Sequence, residues 1–153
     1  MKSPVRLATP EDRAAVEQLV VAAYRHYVPL IGVTPGPMRD DYAAAIARGQ
    51  VHVAEQDDTI AGLLVLIPQV DSLLLDNIAV LPSAQGTGLG RRLLDWTEVV
   101  ARDLGLPRIV LYTHEAMTRN IALYTRHGYV ETHRVEEIGL RRVYMAKTLL
   151  PAP

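Results

Sequence analysis

Between Leu73 and Thr113 the chain reads as an apolar run, Leu73–Val80, then a glycine-rich turn, a helical stripe and a second apolar run, Ile109–Thr113. Leu89, Leu93, Val100 and Leu104 share one face of that helix, with Trp96 beside it. Gly105 and Pro107 then stop it. Two parallel strands joined by a helix take a right-handed crossover. The other neighbouring strands are linked by short turns and should be antiparallel. A mixed sheet flanked by helices follows, in an α/β or α+β sense.

The rest of the chain supplies its other elements. Val5–Ala8 reads as a short strand. Thr9 is placed as an N-cap, with Pro10 at the first helical position and Glu11 and Asp12 in the first turn. Val16, Leu19, Val20, Ala23 and Tyr27 recur at helical spacing, so a helix should run to about 26. Pro29 to Pro37 holds three prolines and two glycines and reads as irregular. A second helix is expected over 38–48, ending at Gly49. Val51–Glu55 and Ile60–Ile67 form a hairpin turning at Asp57-Asp58. A helix over 117–127 closes at Gly128, and strands near 129–136 and 142–149 finish the chain. The count is about seven strands.

At 153 residues a single domain, 1–153, with a real core is expected. Formal net charge is −1 and no long Lys/Arg run occurs, so no nucleic-acid partner is expected. No run nears the roughly 20 apolar residues of a membrane span. The first residues lack the apolar core of a signal peptide. The chain has no cysteine, which removes disulfides, thiolate metal sites and Cys nucleophiles and suits a reducing cytoplasm, where we expect the protein. His26, His52, His114, His127 and His133 show no metal-binding spacing, and no metal is expected.

The turn itself, Gln85-Gly86-Thr87-Gly88-Leu89-Gly90-Arg91-Arg92, is a phosphate cradle in outline. A strand-to-helix turn leaves backbone N–H groups at a helix N-terminus, where the dipole favours an anion. A Walker A loop would need Lys-Ser/Thr after the last glycine, and neither follows Gly90. A dinucleotide fingerprint would need a third glycine at 91, which is Arg. Gln85, Gly88 and Gly90 match Gln/Arg-x-x-Gly-x-Gly/Ala. In this the chain resembles the GCN5-related N-acetyltransferases, whose order of strands and helices it also follows over nearly its whole length. A plain strand-to-helix turn is the alternative for the segment alone.

That resemblance implies the acyl-CoA N-acyltransferase fold, with the central parallel pair splayed. It implies acetyl-CoA as donor, with the diphosphate on Gln85, Gly86, Thr87, Gly88, Leu89, Gly90 and Arg91. Ile78, Ala79 and Val80 would meet the pantetheine arm. Asn120-Ile121-Ala122-Leu123-Tyr124, leading to Gly128-Tyr129, is similar to the family's second signature. Asn120 and Tyr124 are four apart on one helix face. A free tyrosine titrates near ~10 and a thiol near ~8.5, so Tyr124 can stay protonated and donate to a departing thiolate. In many members the Asn stands seven residues before the Tyr, where this chain has Met117, so Asn120 is displaced by about a turn.

Asp71, Asp76, His114 and Glu115 are open candidates for a general base, and water relays could replace one. The acceptor is expected over Tyr24–Arg39 and Arg134–Arg142, with Tyr24, His26, Tyr27, Glu136 and Glu137 as candidate lining. The expected activity is N-acetylation of a small-molecule or peptide amine by direct attack in a ternary complex. A homodimer is left open. The rivals are a non-catalytic acyl-CoA-binding module on the same fold and a nucleotide-binding domain using Glu115.

Overall fold

The computed structural model describes residues 5–32 and 34–149. Their strands are β1 (Val5–Leu7), β2 (Val51–Gln56), β3 (Thr59–Pro68), β4 (Leu73–Val80), β5 (Arg108–His114), β6 (Val130–Glu137) and β7 (Leu140–Thr148). Their helices are α1 (Arg13–Tyr24), α2 (Val28–Ile31), α3 (Tyr42–Ala47), α4 (Leu89–Asp103) and α5 (Thr118–Arg126). One seven-stranded sheet runs in the order β1-β2-β3-β4-β5-β7-β6. Every neighbouring pair is antiparallel except β4 and β5. This is the mixed, mostly antiparallel sheet that the crossover unit and the turn signals imply.

The core lies on both faces. Alternate residues of β3 serve opposite sides: Leu64 and Leu66 pack with Leu89, Leu93 and Leu94 of α4, while Leu63 and Val65 pack with Val16, Leu19 and Val20 of α1. Burial on both faces explains why β3 reads as an unbroken apolar run. Each of those buried leucines contributes about 1.5–3 kcal/mol relative to exposure.

The parallel pair is brief. β4 and β5 meet only at Leu73↔Ile109 and Leu74↔Val110. Beyond that, β4 stays with β3 as far as Val80↔Gly62, and β5 stays with β7 as far as His114↔Arg142. The two strands therefore diverge toward their carboxyl ends. A bulge sits at the divergence: Leu75 pairs with Leu66 and Asn77 with Val65, leaving Asp76 as the extra residue. Such a bulge bends its strand and re-aims side chains.

Several boundaries differ from those expected. The first helix divides into a 3-10 turn at Pro10–Asp12, α1, and a second 3-10 turn at Arg25–Tyr27. The irregular stretch after it contains the single turn α2, closed by Gly32 at φ 84°. The second long helix, expected over 38–48, is only α3. Asp40 is extended, and Asp41 caps α3 by accepting from the Ala44 amide at 3.0 Å. The turn joining β2 and β3 is at Asp57-Asp58, as expected, with φ of 53° and 63°. Two positive φ angles in a two-residue connection match the twist of a hairpin.

Candidate active site

The glycine-rich turn lies between β4 and α4. After β4 the chain makes a 3-10 turn, Pro82–Ala84, then passes through Gly86 at φ 81° and Gly88 at φ 85° into α4. Side chains other than glycine are strained at such angles. The Arg92 amide donates to the Gly88 carbonyl at 3.1 Å. The amides of Leu89, Gly90 and Arg91 lie ahead of that bond, in the first helical turn, which has no intrahelical acceptor to offer them.

Gly90 and Arg91 border a groove of about 830 Å³. Ile78, Ala79, Val80, Gln85, Gly86, Gly88, Gly90, Arg91 and Asn120, all expected cofactor contacts, line it. Thr87 and Leu89 do not. The Thr87 hydroxyl donates to the Ala84 carbonyl at 2.5 Å and accepts from Gln56 at 3.4 Å, closing the turn on itself. Leu89 is buried in the core. The Thr87 amide also donates to the Ala84 carbonyl, at 3.4 Å, so of the two only the Leu89 amide remains to serve a ligand. Gly90 has a packing role as well, because a Cβ there would lie 3.2 Å from Leu123 Cδ2 of α5.

A second, smaller cavity of about 130 Å³ opens in the wedge between β4 and β5. Tyr24, Ile78 and Asn120 line both cavities, so the two meet there. Tyr124 lines the second rather than the first. It is 5% exposed, packs against Tyr129 with ring centroids 5.9 Å apart, and has no hydrogen-bond partner for its hydroxyl among the described residues. Burial raises its pKa well above the ordinary value, so it remains a phenol at any working pH. Asn120 Nδ2 lies 4.0 Å from the Met117 sulfur.

The junction carries a buried polar chain that the sequence did not announce. The Tyr24 hydroxyl lies 2.9 Å from the Ile78 carbonyl and 2.5 Å from Asn77 Oδ1. Asn77 Nδ2 donates to the Tyr42 hydroxyl at 3.0 Å, which donates to the Pro37 carbonyl at 2.5 Å. The chain ties the segment before α3 to the strand that borders the groove.

The four base candidates separate clearly. Asp71 is exposed and faces Arg108 at 3.5 Å, and Glu115 is bound by Arg141 at 3.1 Å. Neither lines either cavity. His114 lines the second, but its Nδ1 accepts from the Ala116 amide at 3.0 Å. A neutral His114 therefore carries its proton on Nε2 and presents a donor. Asp76 also lines that cavity. Burial raises its carboxyl above the ordinary range, offset by a long 3.5 Å bond from the Tyr112 hydroxyl.

Of the expected acceptor lining, Tyr24 borders both cavities, whereas His26 and Tyr27 line the groove alone. Glu136 lines neither cavity, and Glu137 is held by Arg142 at 2.7 Å and by the Tyr144 hydroxyl at 3.0 Å. The acidic lining comes from Asp40 and Asp76 instead.

At the other end of the groove His127 Nε2 stands 3.0 Å from Asp95 and 3.2 Å from Glu98. These three could form a metal cluster by distance. Lys147 already places its ammonium 2.8 Å from Glu98 Oε2 and donates to the His127 carbonyl at 2.7 Å. The cluster is thus a hydrogen-bonded ion network joining α4, α5 and β7.

Residues 11–129 match the family described as "Acetyltransferase (GNAT) family", and the chain belongs to that family. Over 67 residues, 44% of this chain, it is 40% identical to a mycothiol acetyltransferase of Jonesia denitrificans. That match spans 21% of the relative, so the chain spans about a fifth of that protein's length. Among solved structures it is similar to the PaiA N-acetyltransferase of Thermoplasma acidophilum in complex with coenzyme A. The TM-score is 0.82 at 17% identity, covering 97% of this chain and 100% of that one. It is also similar to the ribosomal-protein-S18-alanine N-acetyltransferase of Escherichia coli, with a TM-score of 0.79 at 20% identity, covering 99% and 96%. At these identities the likeness is one of fold.

Proposed function

We propose that the protein moves the acetyl group of acetyl-CoA onto a primary amine by direct attack in a ternary complex. The observation that carries this reading is the meeting of two cavities at Tyr24, Ile78 and Asn120, with Tyr124 lining the smaller one. The groove offers the turn amides to a diphosphate and the diverging edge of β4 to the pantetheine arm. The smaller cavity then takes the amine. No cysteine exists in the chain to carry the acetyl group covalently.

The arriving ammonium gives a proton to Asp76, the candidate base left in the wedge with an acceptor oxygen. The neutral nitrogen attacks the thioester carbon, the C–S bond breaks, and the thiolate takes the Tyr124 proton. The surplus proton on nitrogen returns to the tyrosine through solvent, and Asp76 gives its own proton to solvent before the next turnover. A base must be ionised to act. Activity that depends on Asp76 is therefore present above its raised pKa and lost as pH falls through it. Asp76→Asn should lower turnover and erase this acid limb from the profile, leaving only the step set by the amine itself. An acid limb unchanged in that variant excludes Asp76 as the base.

Cofactor choice has a direct test. A ligand that binds only the native state at a hundredfold excess over its Kd stabilises by about 2.7 kcal/mol, roughly 5–10 °C for a chain this size. Acetyl-CoA should raise the melting temperature by that order and NAD should not. The opposite pattern favours the nucleotide-binding reading.

A further inference from the structure

The smaller cavity holds more negative charge than a simple amine can balance. Asp76 sits on the bulge next to Asn77 and Ile78, where the cavities meet. Asp40 lines the same cavity from the extended residue between the 3-10 turn Gly36–Arg39 and α3, and it is exposed, so it marks the mouth. Neither carboxylate is in an ion pair among the described residues. The neighbouring Arg39 pulls on Asp40, but that pull is outweighed by burial and by the charge of Asp76. The guanidinium in the lining, Arg142, is already committed: it bonds Glu137 at 2.7 Å and lies 4.7 Å from the Tyr112 ring centroid. Tyr124, almost fully buried with its hydroxyl unbonded among the described residues, marks the inner end as the reacting end. Ile31, Pro35, Leu75 and Leu140 supply apolar wall. A volume of about 130 Å³ suits a short chain.

Resting on the acetyl transfer proposed above, we infer that the acceptor is a small dicationic amine. The amine to be acetylated lies at Asp76, and a second cationic group, across a few methylenes, pairs with Asp40. A monoamine neutralises Asp76 and leaves Asp40 without a partner. A zwitterion brings a carboxylate toward a cavity already rich in them. Asp40 is thereby a specificity residue, and the attack on the thioester is unchanged.

The test uses the full chain, acetyl-CoA and three matched acceptor sets: straight-chain diamines from diaminopropane to diaminohexane, the corresponding alkylamines, and the corresponding ω-amino acids. The best diamine should exceed its alkylamine in kcat/KM by about tenfold, the scale of one charge-assisted contact discounted for exposure, mostly through KM. The ω-amino acids should be poorest. Asp40→Asn should bring the diamine-to-alkylamine ratio toward one, and Asp40→Glu should restore part of it. An alkylamine as good as its diamine overturns the inference, as does a preference that survives Asp40→Asn. Transfer to ω-amino acids or peptides in place of diamines overturns it too while leaving acetyl transfer intact. No acetylation of any acceptor overturns both.

Discussion

Tyr124→Phe should lower turnover by ~10²-fold or more, the lower end for a lost general acid, with acetyl-CoA affinity near the parent value. The substitution removes one hydroxyl and keeps the ring that packs on Tyr129. That hydroxyl has no protein partner among the described residues, so its loss breaks no structural hydrogen bond there. Stability should therefore hold. The rate deficit should shrink with an acyl donor whose thiol is more acidic, because that group leaves without a proton. A purely packing role predicts the reverse pattern: a lower melting temperature and nearly full turnover per folded molecule. Parent-like turnover with acetyl-CoA removes Tyr124 from the chemistry and leaves water as the acid.

Gly88→Val should abolish most acetyl-CoA binding. Gly88 stands at φ 85° at the N-terminus of α4, and a Cβ there meets no atom within 4 Å. The cost is therefore backbone strain, about 1–2 kcal/mol for a left-handed residue, together with a side chain placed in the mouth of the cradle. Several charge-assisted bonds to a diphosphate are worth about 1.5–3 kcal/mol each, so losing two of them weakens affinity by more than ~10²-fold. Titration calorimetry on the folded variant measures this. Gly90→Ala is the contrasting control, because its Cβ would press on Leu123 and report α4–α5 packing. Parent-like affinity in Gly88→Val places the anion elsewhere.

Much of the fold was legible because its signals are local. The apolar run, glycines and stripe of residues 73–113 determine a crossover whatever surrounds them. Asp57-Asp58 can adopt the two positive φ angles that a tight hairpin needs. Segment 38–48 reads as one helix in sequence, whereas Asp41 begins α3 only after an extended Asp40, and Asp40 and Asp41 differ in nothing that periodicity detects. The groove was legible for the same local reason as the crossover. The acceptor side was not, because its parts meet across the fold. The bulge at Asp76 depends on the register with β3. Tyr24 reaches Asn77 over 53 residues, and Lys147 reaches Glu98 over 49. Asp40 enters the cavity only because the segment before α3 is anchored through Tyr42.

Acetyl transfer at the meeting of the two cavities is tested most directly by following coenzyme A thiol release and acetylated amine in the same sample. The parent chain should release thiol only when an amine is present, with one acetylated amine formed per thiol, and Tyr124→Phe should slow both equally. Binding of acetyl-CoA with no acetylated product across a broad amine panel would contradict the account and leave a non-catalytic acyl-CoA-binding module on this fold.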